Sequence, residues 1–153
     1  MLKPYFPVQP EAPAPLRLTV RRSVRFEEVD PLGIVWHGRY PSFFEDARVA
    51  LGERYGIGYM DFFHRGILAP IKKMHLDYHR PLRFQDEVTI EGILYWSAAA
   101  RLNHAFFIRN AAGELATSGY TVQMLLDGEQ NVFLVHPPFY QEFCARWAAG
   151  ELS

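Results

Sequence analysis

The stretch "EVDPLGIVWHGRYPSFFEDAR" (28–48) gathers Asp30, His37 and Glu45 across a Pro-Gly turn and the start of a helix. A carboxylate carried on a turn can face a cleft, where it takes a proton from water or attacks an electrophilic carbon. Free N–H groups at a helix start, backed by the positive end of the helix dipole, suit an oxygen that becomes negative during reaction. The same residues also have bland roles. Asp30 before a proline can cap its turn, His37 can be a structural hydrogen-bonder, and Glu45 beside Asp46 and Arg48 can be a solvated helix pair. The residues alone leave both readings open.

Other candidates carry less. His75, Asp77 and His79 alternate along a strand and share a face, a pattern two histidines and an acid can use for a metal. No third histidine falls obviously near, so a structural or interface role is expected and no metal. The row Arg17, Arg21, Arg25 reads as a solvated strand face before it reads as a phosphate site. There is no Gly-rich phosphate loop, no G-x-S-x-G and no Cys–His nucleophile pattern. The lone cysteine, Cys144, cannot form an internal disulfide and suits a reducing compartment, so the cytoplasm is the expected location.

These residues need a scaffold. The chain has 153 residues, enough for one domain with a sizeable core. Its formal net charge of −1 gives no electrostatic case for nucleic acid or an anionic membrane as partner. No apolar run reaches the length of a membrane-spanning helix. Residues 1–15 carry Pro4, Pro7, Pro10, Pro13 and Pro15 and read as a polyproline-like arm; 16–153 form the domain.

Leu16 to Glu27 alternates, with Leu18, Val20, Val24 and Phe26 on one side, as in a strand with one buried face. From Pro41 the period changes to helical spacing through Phe43, Phe44, Ala47, Ala50 and Leu51, and Gly56 ends it. A short turn through "YMDFFHRG" follows. Ile67–His79, Asp86–Trp96, Ala99–Arg109 and Leu115–Asp127 are predicted strands, the last two joined across "NAAGE". A short strand at "VFLV" and a helix over Phe139–Ala149 close the chain. The order predicts an α+β domain, an antiparallel sheet of about five strands curled around one long helix, the element expected to cover the sheet. One helix leaves a wide sheet partly uncovered, so self-association is expected.

"VDPLGIVWHGRYPSFFEDAR" resembles the signature of hotdog-fold acyl-CoA thioesterases of the 4-hydroxybenzoyl-CoA thioesterase and Tol-Pal-associated type. Asp30, Gly33, Ile34, Val35, Trp36, His37, Tyr40, Glu45, Ala47 and Arg48 fill its slots. "HLDYHRPLRFQDEVTI" and "FFIRNAAGELATSGYTVQMLLD" are similar to later family strands, so the likeness spans about residues 16 to 140. Arg39 stands where many members have Asn, and Val29 where they often have Thr or Cys; both bear on what the pocket accepts.

The resemblance implies a thioester hydrolase with an acyl-CoA substrate, no cofactor and a site built at the interface of a homodimer or homotetramer. Asp30 would be nucleophile or general base, with the His37 backbone N–H, and Gly38 beside it, polarising the carbonyl. The His37 ring would add a donor or orient Asp30, and Glu45 would position water or hold His37. Gly33, Val35, Trp36, Tyr40, Phe44 and Arg48 would line the substrate. Phe43, Tyr59, Phe62 and Phe63 are pocket, interface or core. An acyl-carrier-protein thioesterase or other thioester-acting enzyme of the same fold, and a non-catalytic acyl-binding module, are the alternatives.

Overall fold

The computed structural model describes residues 3–152. Strand β1 (Leu16–Ser23) leads through two 3-10 turns, Phe26–Glu28 and His37–Arg39, into helix α1 (Tyr40–Tyr55) and the short α2 (Tyr59–Phe63). Strands β2 (Ile71–Tyr78), β3 (Glu87–Tyr95), β4 (Arg101–Arg109) and β5 (Leu115–Met124) follow, and α3 (Pro138–Ala148) closes the chain. The strands form one sheet in the order β1-β3-β4-β5-β2, with every neighbouring pair antiparallel.

Helix α1 forms where the sequence changes period. Pro41 sits in its first turn, where a fixed φ is no handicap, and Gly56 caps it in the left-handed region at φ 72°. Its inner stripe, Phe43, Phe44, Ala47, Arg48 and Leu51, is buried at helical spacing. Glycines on the sheet let the helix come close: a Cβ on Gly92 would lie 3.2 Å from Ala47, and one on Gly119 would lie 2.9 Å from the Phe44 ring. Phe44 stacks on Phe106 of β4 at 4.6 Å between centroids. Burial of each such ring contributes on the order of 1.5–3 kcal/mol.

Helix α1 does not cover the sheet alone, as the sequence had suggested it would. Its first half packs with Val88, Ile90, Phe106 and Ile108. The second half shares a separate core with Tyr140, Phe143 and Trp147 of α3.

The proline-rich arm is anchored across the outer face of the sheet, where Tyr5 and Phe6 pack on Ile93, Tyr95, Ala105 and Phe107. The Tyr5 hydroxyl donates to Asp77 at 2.6 Å and meets Ser118 Oγ at 2.7 Å, and Trp147 Nε1 donates to the Ala14 carbonyl at 2.9 Å. His75 pairs with Asp77 at 3.0 Å. The Tyr5 bond, then that of His75, holds the Asp77 carboxyl below its usual range.

Several boundaries differ from the sequence reading. β1 stops at Ser23, because the next residues wind into a 3-10 turn that pairs Glu28 with Arg22. Phe26 therefore leaves the buried row, lies 75% exposed and packs edge-on against Phe84. The predicted strand at "VFLV" shrinks to a bridge between Leu126 and Val132 and leaves Leu134 and Val135 exposed. Hydrophobic residues there had no neighbouring strand long enough to pair with.

Candidate functional site

The loop carrying Asp30 is tied at several points. Asp30 Oδ1 accepts from the Leu32 N–H at 2.8 Å, and its carbonyl accepts from the Gly33 N–H at 2.9 Å. Gly33 has φ 78°, which an L side chain rarely adopts, and that conformation lets the turn close so tightly. Val35 and Trp36 N–H groups donate to Leu82 and Glu28 carbonyls, fixing the exit of the loop. Buried Glu28 is ion-paired with Arg22, which also reaches Asp46 on α1 at 2.9 Å. One turn of backbone thus holds the carboxylate against both sheet and helix.

The segment His37–Arg39 precedes α1 directly. Its Arg39 N–H donates to the Trp36 carbonyl at 2.9 Å. Among the described residues, no hydrogen bond from the protein engages the His37 or Gly38 N–H. A Cβ on Gly38 would lie 2.4 Å from the Trp36 ring, so only glycine lets the indole rest on this peptide. Asp30, His37, Val35, Tyr40, Tyr78 and Pro81 line one open cleft of about 440 Å³. The acid and His37, whose N–H is uncommitted, border the same space, and Gly38 follows directly in the chain. That is an arrangement able to attack a carbonyl carbon while stabilising its oxygen.

Glu45 and Arg48 lie elsewhere. Glu45 accepts from Arg48 Nε at 2.9 Å through one oxygen and from the Tyr59 hydroxyl at 2.8 Å through the other. Within the chain no hydrogen bond joins Glu45 to Asp30 or His37 among the described residues. Both of its partners, Arg48 and Tyr59, line a second cavity of about 420 Å³ together with Gly52, Ile57, Phe62 and His104. Burial pushes the Tyr59 phenol up to about 12. Phe44, expected against substrate, is instead wholly buried in the core, and Phe43 likewise.

Arg48 is 5% exposed. It donates to Gln123 at 2.7 Å and Thr121 at 2.8 Å, and faces His104 Nδ1 at 3.2 Å. The guanidinium has only donors, so His104 Nδ1 accepts and the ring carries its proton on Nε2. Full burial, then the Arg48 charge, hold the His104 pKa well below the ordinary value. The neutral ring is therefore the folded form. In the unfolded chain His104 takes up a proton near pH 6.5. Its contribution is complete above that pH and is lost as pH falls toward the folded pKa, by up to about 1.4 kcal/mol per pH unit. Urea midpoints between pH 7.5 and 5 should fall more steeply for the parent than for His104→Gln.

Sequence reasoning did not find His104, Thr121, Gln123 or Tyr78. His104 had a signal: it shares the inward row of β4 with Leu102, Phe106 and Ile108. The Tyr78 hydroxyl donates to the His37 carbonyl at 2.8 Å.

A five-stranded antiparallel sheet curled on one long helix, with an acid loop before the helix start, is the hotdog architecture. Residues 24–146 match the model of the Thioesterase-like superfamily. The chain belongs to that family and is a thioester hydrolase of the hotdog fold. It is 28% identical over 106 residues to the Bacillus subtilis protein named "Putative acyl-CoA thioesterase YneP", covering 69% of this chain and 77% of that one. The structure of a DHNA-CoA thioesterase from Staphylococcus aureus superposes with TM-score 0.78 at 23% identity, covering 88% of this chain and 93% of the other. SAV2348 from the same organism, solved in complex with CoA, gives TM-score 0.76 at 16% identity over 90% and 87% of the two chains.

Proposed function

We propose that the chain hydrolyses an acyl-CoA to a carboxylic acid and CoA in the cleft between the Asp30 turn and the His37 helix start. The observation that carries this reading is the shared cleft: Asp30 and His37 line it together, and the His37 and Gly38 N–H groups are uncommitted. In the reaction, the thioester oxygen accepts from those amides. Asp30 then adds to the carbonyl carbon, or removes a proton from a water that does so. The tetrahedral intermediate collapses with cleavage of the C–S bond, and the CoA thiolate leaves and is protonated. On the nucleophilic route water then opens the mixed anhydride and frees Asp30.

The CoA complex of SAV2348 favours a CoA thioester over a carrier-protein one. A second copy belongs on the edge strand β2, one side of which is unpaired, with Ile71 and Met74 each 37% exposed. Across such an interface the Glu45–Tyr59 cavity of one copy would complete the acyl site of the other. The buried lone thiol of Cys144 suits the cytoplasm. Purified protein offered a panel of aliphatic and aromatic acyl-CoAs, with a colour reagent for free thiol, should release CoA at catalytic rates from at least one class. Binding without thiol release would assign the fold to acyl binding instead.

A further inference from the structure

Tyr78 ends the edge strand β2, and its side chain is 53% exposed. Burial does not force its hydroxyl to seek a partner. Yet it donates at 2.8 Å to the His37 carbonyl, on a segment 41 residues earlier in the chain. Its ring leans edge-on against Tyr40 at 5.4 Å, which fixes the side-chain direction. The bond therefore ties the end of a strand to the first turn before α1.

The chemistry of that peptide gives the bond a consequence. The His37 carbonyl and the Gly38 N–H belong to one rigid plane, so holding one end sets the direction of the other. Hydrogen bonding at the oxygen also polarises the unit and strengthens its N–H as a donor. The preceding peptide is held in the same manner, since the Arg39 N–H reaches the Trp36 carbonyl at 2.9 Å and that plane carries the His37 N–H. Both amides at the helix start thus have their carbonyl ends anchored, one by the Arg39 N–H and one by the Tyr78 hydroxyl reaching in from β2.

Resting on the thioesterase reading above, we infer that Tyr78 is a positioning residue for the oxyanion amides. It holds the 37–38 peptide so that its N–H is aimed and strengthened before substrate arrives. It does not touch the reacting atoms. Its loss weakens hydrogen bonds that are strongest once the carbonyl oxygen turns negative in the transition state, so kcat falls while KM stays close to that of the parent.

The test is Tyr78→Phe, which keeps the ring and its packing on Tyr40. On the best acyl-CoA of the panel, kcat should fall about tenfold, a part of what losing a whole oxyanion donor costs. KM and the melting temperature should match the parent. A second readout uses octanoyl-CoA labelled with carbon-13 at the carbonyl, bound to an Asp30→Asn background. Its C=O stretch should lie below the free value in that background and return toward it when Tyr78→Phe is added. A parent-like kcat, or an unchanged carbonyl frequency, overturns the assignment. If the parent protein itself cleaves no thioester, the thioesterase reading falls; parent turnover with an indifferent Tyr78→Phe sinks only the role of Tyr78.

Discussion

Asp30→Asn should lower kcat and kcat/KM together by about 10³-fold, within the range of a positioned general base, and by more if the carboxylate is the nucleophile. Asparagine is the informative substitution because it separates chemistry from turn geometry. Its side-chain oxygen still accepts from the Leu32 N–H, the bond that Asp30 Oδ1 makes at 2.8 Å, so the loop keeps its shape. The melting temperature should therefore remain close to that of the parent. Alanine removes both functions and should add a stability loss of about 0.5–1.5 kcal/mol, the worth of one hydrogen bond. If Asp30 only caps the turn, the order reverses: asparagine retains full hydrolysis and alanine suffers through stability alone. Single turnover in heavy-oxygen water distinguishes the two chemical routes, since label in the Asp30 carboxylate requires the mixed anhydride. Thiol release at the parent rate from Asp30→Asn would end the proposal.

Local signals made the scaffold legible. Pro41, the three- and four-residue spacing of Phe43, Phe44, Ala47 and Leu51, and Gly56 bounded α1 because each acts within one or two helical turns. Asn110 and Gly113 marked the β4–β5 hairpin by turn chemistry of the same short range. Phe26 was misplaced because alternation continued through it, while the Arg22–Glu28 ion pair that bends the chain cannot be read from period alone. The same limit applies to the site. Asp30 and His37 are close in sequence and line one cleft, so their relation was readable. Arg48 meets His104, Thr121 and Gln123 across separations of 56, 73 and 75 residues. Polar residues on strands ordinarily signal the solvent side; the inward row of β4 marked His104, but only sheet order brings Thr121 and Gln123 to the same guanidinium. Glu45 shows the same limit: spacing placed it near the helix start, while within the chain a guanidinium and a phenol engage its two oxygens.

The buried cluster leads to the largest expected stability effect. Arg48→Met removes donors to Glu45, His104, Thr121 and Gln123 and leaves the last three buried without them. Breaking a buried charge network by deleting one partner costs about 3–5 kcal/mol. Folded domains hold only about 5–15 kcal/mol in total, so the variant should melt on the order of 10 °C lower. Lysine should not rescue it, since a single ammonium cannot reproduce the planar fork that reaches four acceptors. If stranded acceptors are the cause, adding Gln123→Met should recover part of the loss, because replacing both partners by apolar groups avoids an unsatisfied buried carbonyl. A double-mutant cycle by urea unfolding reads that coupling directly. His104 supplies an internal check. Burial is the first cause of its lowered pKa and survives the loss of Arg48, so the fall in stability below pH 6.5 should persist in Arg48→Met but level off at a higher pH. The resemblance had put Arg48 against substrate, which predicts instead a raised KM at low temperature with folding intact. A parent-like melting temperature with raised KM would favour that role; a collapsed melting temperature with unchanged KM in the surviving folded fraction places Arg48 as the pin that holds α1 to the inner face of β4 and β5.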